Sequence, residues 1–229
     1  MSFRKSSGLV SRRDLLALAA TAQCVTSGVF AENHRTKGST SMARFDRDRF
    51  VEDCVRANRE ADGQAAVREV LERAVDDPAA VIARLGAPTQ AGLDVLHRSP
   101  TLTIFAAHWA PRMSLPPHDH RLWALIGLCQ GREDNIHWRR REGRLLEAHG
   151  ANVLFPGDVA ALTRDAIHSV TNPLPGFTTG IHIYGGDFFD TPRSQWSPDA
   201  LAEEPSDGKT IKALFDRENE RLGQGACRE

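Results

Sequence analysis

The chain is poor in paired cysteine, in tyrosine and in charge of one sign, and each shortage removes a class of explanation. Its 4 cysteines stand at Cys24, Cys54, Cys129 and Cys227, with no CxxC and no short pairing. Neither a cysteine zinc site nor a disulfide framework is therefore indicated. Lys+Arg 29 against Asp+Glu 30 leaves a net charge of −1, too little to draw in nucleic acid or an anionic membrane surface. The basic run "WRRREGR" (138–144) reads as a solvated strand end and turn. No apolar run reaches the roughly 20 residues that a spanning helix needs, so no membrane insertion is expected. Tyrosine occurs once, as Tyr184. What is present, 229 residues of which 41% are hydrophobic, suffices for one domain with a single core.

Residues 1–31 do not read as the start of a globular domain. A basic segment (Arg4, Lys5, Arg12, Arg13) precedes a small-residue apolar stretch from Leu15 to Ala22, and Val29-Phe30-Ala31 offers a cleavage site before Glu32. That is the order of a secretory signal, and "SRRDLL" resembles the twin-arginine export signal. The expectation is a periplasmic protein with residues 32–43 as a flexible linker. The competing reading takes Met42 as the true start and leaves the protein cytoplasmic.

From 44 to 90 the pattern is helical. Phe45, Phe50, Val51, Cys54 and Val55 share one face, and "AAVREVLERAV" repeats the period. "DDPAAVIARLG" supplies an N-cap aspartate, a proline in the first turn and a glycine stop. From about residue 91 short apolar runs such as "LTIFAAHWA", "LWALIGLC" and "TTGIHIYG" alternate with turn residues. Such spacing predicts an all-β sandwich or barrel over 91–229, closed by a short C-terminal helix in "DGKTIKALFDRENERLG".

The chemistry gathers at "PPHDHRLWALIG" (116–127). Histidines at i and i+2 point the same way only on a β-strand, so His118 and His120 form a two-nitrogen pincer while Asp119 faces away. Further on come "GANVLFPGD" and "IHSVTN", the latter with His168 and Asn172. These segments resemble the two motifs of the cupins, double-stranded β-helix jelly rolls in which the first motif supplies HxH and the second one more histidine. The usual first-motif glutamate is absent: Trp123, Ala124 and Leu125 stand there instead. The gap from Pro156-Gly157 to His168 is also long. Both departures, with "HSVTNPLP" and "IHIYGGDF", are similar to the thiol dioxygenases, the cysteine and 3-mercaptopropionate dioxygenase group.

The resemblance implies Fe(2+) held by His118, His120 and His168, a small thiol and O2 as substrates, and a sulfinic acid as product. Three neutral imidazoles suit iron(II), leave adjacent positions open and keep the full 2+ charge for an anionic thiolate. His182 and Tyr184 correspond to the inner members of a Ser-x-His-x-Tyr relay in those enzymes, and Gly180 occupies the serine's place. Cys129 lies too far along to be the tyrosine-linked cysteine of mammalian-type enzymes and reads as a core residue. A carboxylated thiol needs a cation, and Arg98, Arg121 and Arg164 are the candidates near in sequence. Asp119 and Asn172 read as hydrogen-bonding and strand-pinning residues. His34, His97, His108, His137 and His149 show no ligand-like pairing. Two other readings of the same histidines stand beside this one: a cupin isomerase or hydrolase with another divalent metal, and a non-enzymatic metal- or ligand-binding cupin.

Overall fold

The computed structural model describes residues 45–141, 146–206 and 208–226. The expected export signal (1–31) and linker (32–43), with His34, lie outside them. Three helices come first: α1 (Arg47–Ala57), α2 (Gly63–Val75) and α3 (Pro78–Leu85). Each begins on an aspartate, Asp46, Asp62 or Asp77, whose side chain accepts from the backbone N–H three residues on, which satisfies one of the donors a helix start leaves bare. In α3, Pro78 occupies the first turn and Gly86 ends the helix at φ 90°, where a side chain is strongly disfavoured.

Eleven strands follow: β1 (Gly92–Arg98), β2 (Thr103–Trp109), β3 (Ser114–Asp119), β4 (Ala124–Gln130), β5 (Glu133–Arg140), β6 (Leu146–Leu154), β7 (Val159–Leu162), β8 (Ile167–Thr171), β9 (Thr178–Tyr184), β10 (Arg193–Trp196) and β11 (Glu203–Ser206). They form a five-stranded sheet of order β1-β2-β9-β4-β7 and a six-stranded sheet of order β11-β10-β3-β8-β5-β6. All pairs are antiparallel. Two such sheets closing on one core, with each sheet drawing strands from both halves of the chain, make a cupin double-stranded β-helix. The final helix, α4 (Gly208–Ala226), runs 19 residues, longer than the short element expected.

Strand alternation explains why β2 and β9 are buried along their whole length. Phe105, Ala107, Trp109, Ile126, Leu128 and Tyr184 face the barrel interior. Ile104, Leu125, Cys129, Ile181 and Ile183 face outward, against Phe50, Cys54, Leu71 and Val75 of the helices. The helical layer thus covers what would otherwise be an exposed apolar sheet face. At Gly127 a Cβ would lie 2.8 Å from the Leu71 side chain, so glycine lets α2 press close to β4. Helix α4 closes the other side: Phe215 stacks on Trp109 at 5.7 Å, and Asn219 exchanges hydrogen bonds with the Ala91 backbone. No helix among the described residues is long and apolar enough to cross a membrane.

Candidate metal centre

His118 lies near the end of β3 and His120 directly follows the strand. β3 pairs with β8 so that His118 stands opposite His168. Two motifs 50 residues apart in the chain are therefore neighbours in the sheet. Arg121 then takes φ 55°, a left-handed conformation that turns the chain sharply after the second imidazole. The three histidines each bring one ring nitrogen into a group in which all lie within 4.8 Å of one another.

The tautomers follow from the partners. His118 Nδ1 lies 3.0 Å from the Pro116 carbonyl oxygen, which only accepts, so Nδ1 carries the proton and Nε2 is a bare lone pair. His168 is fixed through two steps. Glu133 accepts from Asn135 Nδ2 at 3.1 Å, which orients the Asn135 amide. Its Oδ1 then faces His168 Nδ1 at 2.7 Å, so that nitrogen donates and His168 Nε2 is bare. His168 Nε2 and His120 Nε2 are 3.3 Å apart. Burial lowers the pKa of all three rings, and their neighbouring imidazoles and Arg193 lower it further for His120. Neutral rings with converging lone pairs are the state a divalent cation with a preference for nitrogen ligands requires.

Around the three rings lies a small cavity of about 50 Å³, walled by Phe105, Trp109, Tyr184, Phe188 and, from α4, Leu214 and Phe215. That size admits only a small guest. Tyr184 and His182 share the inward face of β9, with the Tyr184 hydroxyl 3.3 Å from His182 Nδ1. The Tyr184 ring also packs edge-on to His120 at 4.9 Å. Burial pushes the phenol pKa up, so the hydroxyl keeps its proton at neutral pH. Ala124 is the residue opposite Tyr184 on β4, while Cys129 packs on the other face of that sheet with the helices. Gly185 follows Tyr184 because a Cβ there would lie 2.0 Å from the Trp123 indole nitrogen.

The three arginines chosen by nearness in sequence do not line this cavity. Arg98 is held outside by Asp187 and Asp190, each at 2.9 Å. Arg121 bonds Asp119 at 2.6 Å and Ser194 at 3.3 Å. Arg164 is exposed in the turn between β7 and β8. Among the described residues the cation that does line the cavity is Arg193, at the start of β10, two residues before Gln195, which pairs with His118. It is buried, donates to the Phe188 and Thr191 carbonyls and lies 3.9 Å over the Phe188 ring. Glu133 was likewise not singled out by the sequence. It is buried, and it accepts from Trp109 Nε1 at 2.8 Å. Burial raises its pKa, but His182 nearby and the bonds from Asn135 and Trp109 outweigh this and hold it below the ordinary value.

Asp119 faces away from the imidazoles and accepts from the Ser194 N–H at 2.8 Å, tying β10 to β3. Asn172 donates to the Ala110 and Gly176 carbonyls and accepts from the Leu174 N–H, pinning the turn after β8. His97, His108, His137 and His149 stay out of the cavity. His108 bonds Asp94 and Thr179, and His137 bonds Asn152.

No protein-family model matches the chain. Among solved structures, the chain is similar to an uncharacterised protein with a double-stranded β-helix domain from Klebsiella pneumoniae subsp. pneumoniae (12% identity, TM-score 0.34, 53% of this chain and 89% of that one). It is similar to an RmlC-like cupin family protein from Methanocaldococcus jannaschii (8%, TM-score 0.37, 44% and 84%). It is also similar to a variant of the salicylate 1,2-dioxygenase from Pseudoaminobacter salicylatoxidans (17%, TM-score 0.31, 38% and 23%).

Proposed function

We propose that this protein is a non-haem iron(II) enzyme that oxidises a small carboxylated thiol with O2 to its sulfinic acid (RSH + O2 → RSO2H). The observation that carries the reading is the pairing, within one small cavity, of three imidazoles whose ring nitrogens converge with the buried cation of Arg193. His118, His120 and His168 would hold the metal through Nε2. Iron(II) bound there supplies the redox chemistry, in which sulfur loses four electrons and O2 gains them.

The remaining roles belong to the chain itself. The Arg193 guanidinium lines the cavity and would add a charge-assisted contact to a substrate carboxylate, fixing the thiol end toward the histidines. With no carboxylate ligand, the site keeps its positive charge and so favours the thiolate over the thiol. The Tyr184 hydroxyl, protonated and buried, can donate a hydrogen bond into the cavity. Phe105, Phe188 and Phe215 exclude water, which strengthens these polar contacts.

The test is oxygen uptake by the iron-loaded protein with cysteine, 3-mercaptopropionate and cysteamine. Uptake matched by sulfinate formation is expected with a carboxylated thiol and not with cysteamine, which lacks the carboxylate. Equal rates with all three would remove Arg193 from recognition, and no uptake with any would remove the function.

A further inference from the structure

Behind two residues of the cavity wall, Trp109 and His182, lies a buried carboxylate that the ligand set and the thiol-binding face do not use. Glu133 comes from β5 in the six-stranded sheet, and His182 from β9 in the five-stranded sheet. Across the interior, Glu133 Oε2 stands 3.7 Å from His182 Nε2, an ion-pair distance rather than a hydrogen bond. That nitrogen is buried and has no hydrogen-bond partner among the described residues. A side chain at position 180 could reach it, since a Cβ there would lie 3.4 Å from His182 Nε2. Gly180 supplies none.

We infer that Glu133 is the positioning residue of this site, a carboxylate from the opposite sheet that serves as the outer partner of the His182–Tyr184 pair and sets the tautomer of His168 as well. A carboxylate can only accept, and at 3.7 Å its charge favours a proton on His182 Nε2 over a lone pair. His182 Nδ1, 3.3 Å from the Tyr184 hydroxyl, then becomes the nitrogen that hydrogen-bonds the tyrosine. With the ring neutral, Nδ1 accepts the phenolic hydrogen. With the ring protonated, Nδ1 donates to the phenolic oxygen and leaves the phenolic hydrogen free for the cavity. The same carboxylate orients Asn135, whose Oδ1 keeps the proton on His168 Nδ1. Trp109 Nε1 holds Glu133 in place from β2 at 2.8 Å. One acidic group thereby prepares both the ligand side and the proton side of the cavity.

The kinetic part of this inference rests on the thiol-oxidising reading; the tautomer part does not. The second is read in the full chain prepared without metal, from long-range ¹H–¹⁵N correlations of the histidine rings. His182 is expected to carry its proton on Nε2, with Glu133→Ala redistributing it toward Nδ1. A parent His182 protonated on Nδ1 alone overturns the inference, whatever the enzyme oxidises. The kinetic part is a double-mutant cycle with turnover counted per bound iron. Glu133→Gln, which preserves shape, is expected to lower kcat about tenfold or more with KM unchanged, as loss of proton-transfer assistance does. In a His182→Gln background the same substitution should change kcat less than about twofold. Effects that multiply in full across the cycle contradict action through His182. A parent that oxidises no thiol defeats the functional reading and leaves the ring spectra to judge Glu133.

Discussion

His168 Nε2 and His120 Nε2 lie 3.3 Å apart inside the barrel, and His168 presents a bare lone pair there because its Nδ1 is committed to Asn135. The gap holds one proton or one cation. A bound cation interacts only with the folded site, so it stabilises the fold by mass action, by about 2.7 kcal/mol at a hundredfold excess over Kd. Purified protein is expected to hold a single iron per chain and to melt at lower temperature after chelation. His168→Ala should lose the metal and the chelator effect while keeping the fold. Full iron occupancy in that variant contradicts the three-histidine site.

Tyr184 sits on the inward face of β9, and Cys129 packs on the far side of the same sheet, among the helices. No thioether can link them, so intact mass should match the unmodified sequence without loss of two hydrogens. Tyr184→Phe should keep its iron and lose about tenfold in turnover, as removal of a transition-state hydrogen bond worth ~1.4 kcal/mol does. Steady-state kinetics with an iron assay checks both.

Arg193 should act on binding more than on turnover. Arg193→Gln removes a charge-assisted contact to a carboxylate, worth about 1.5–3 kcal/mol. KM for a carboxylated thiol should therefore rise by roughly 10- to 100-fold with kcat per iron little changed. An unchanged KM places the carboxylate elsewhere.

Glu203 offers a pH test remote from the cavity. Its carboxyl is held at about 2 by Arg140, with Ser194 assisting, and Arg140 bonds it from β5 at 2.6 Å. A folded-state pKa below the ordinary carboxylate value means this contact is fully present above that value. It is lost as pH falls from about 4.5 toward about 2. The pair is largely solvent-exposed, so the loss should be at most about 1 kcal/mol. Glu203→Gln should remove that part of the acid dependence of the melting temperature and leave the neutral-pH value within a few degrees.

Much of this architecture was legible in local pattern. The helical face at Phe50 and Cys54, the aspartate cap of α3 and the short apolar runs of β2, β4 and β9 are all short-range signals. The spacing of His118 and His120 is meaningful on any strand. The site's far wall was not legible, because it depends on which strands meet when the barrel closes. Arg193 stands in a four-residue strand, too short for a pattern, while Arg98 and Arg121, nearer in sequence, are held outside the cavity by Asp187 and Asp119. Glu133 and Asn135 are hidden for a different reason. β5 turns these polar residues inward and leaves Ile136 42% exposed, the reverse of the pattern a half-buried strand normally shows. The i, i+2 spacing of Glu133 and Asn135 at the start of β5 was the available signal.

The central claim is that a thiol receives both atoms of O2 in this cavity. The direct measurement is turnover of the iron-loaded protein with a carboxylated thiol under ¹⁸O2, followed by mass spectrometry of the product. A sulfinate carrying two labelled oxygens is expected, formed in step with O2 consumption and absent in His168→Ala. Disulfide as the sole product, or a sulfinate whose oxygen comes from water, would contradict it.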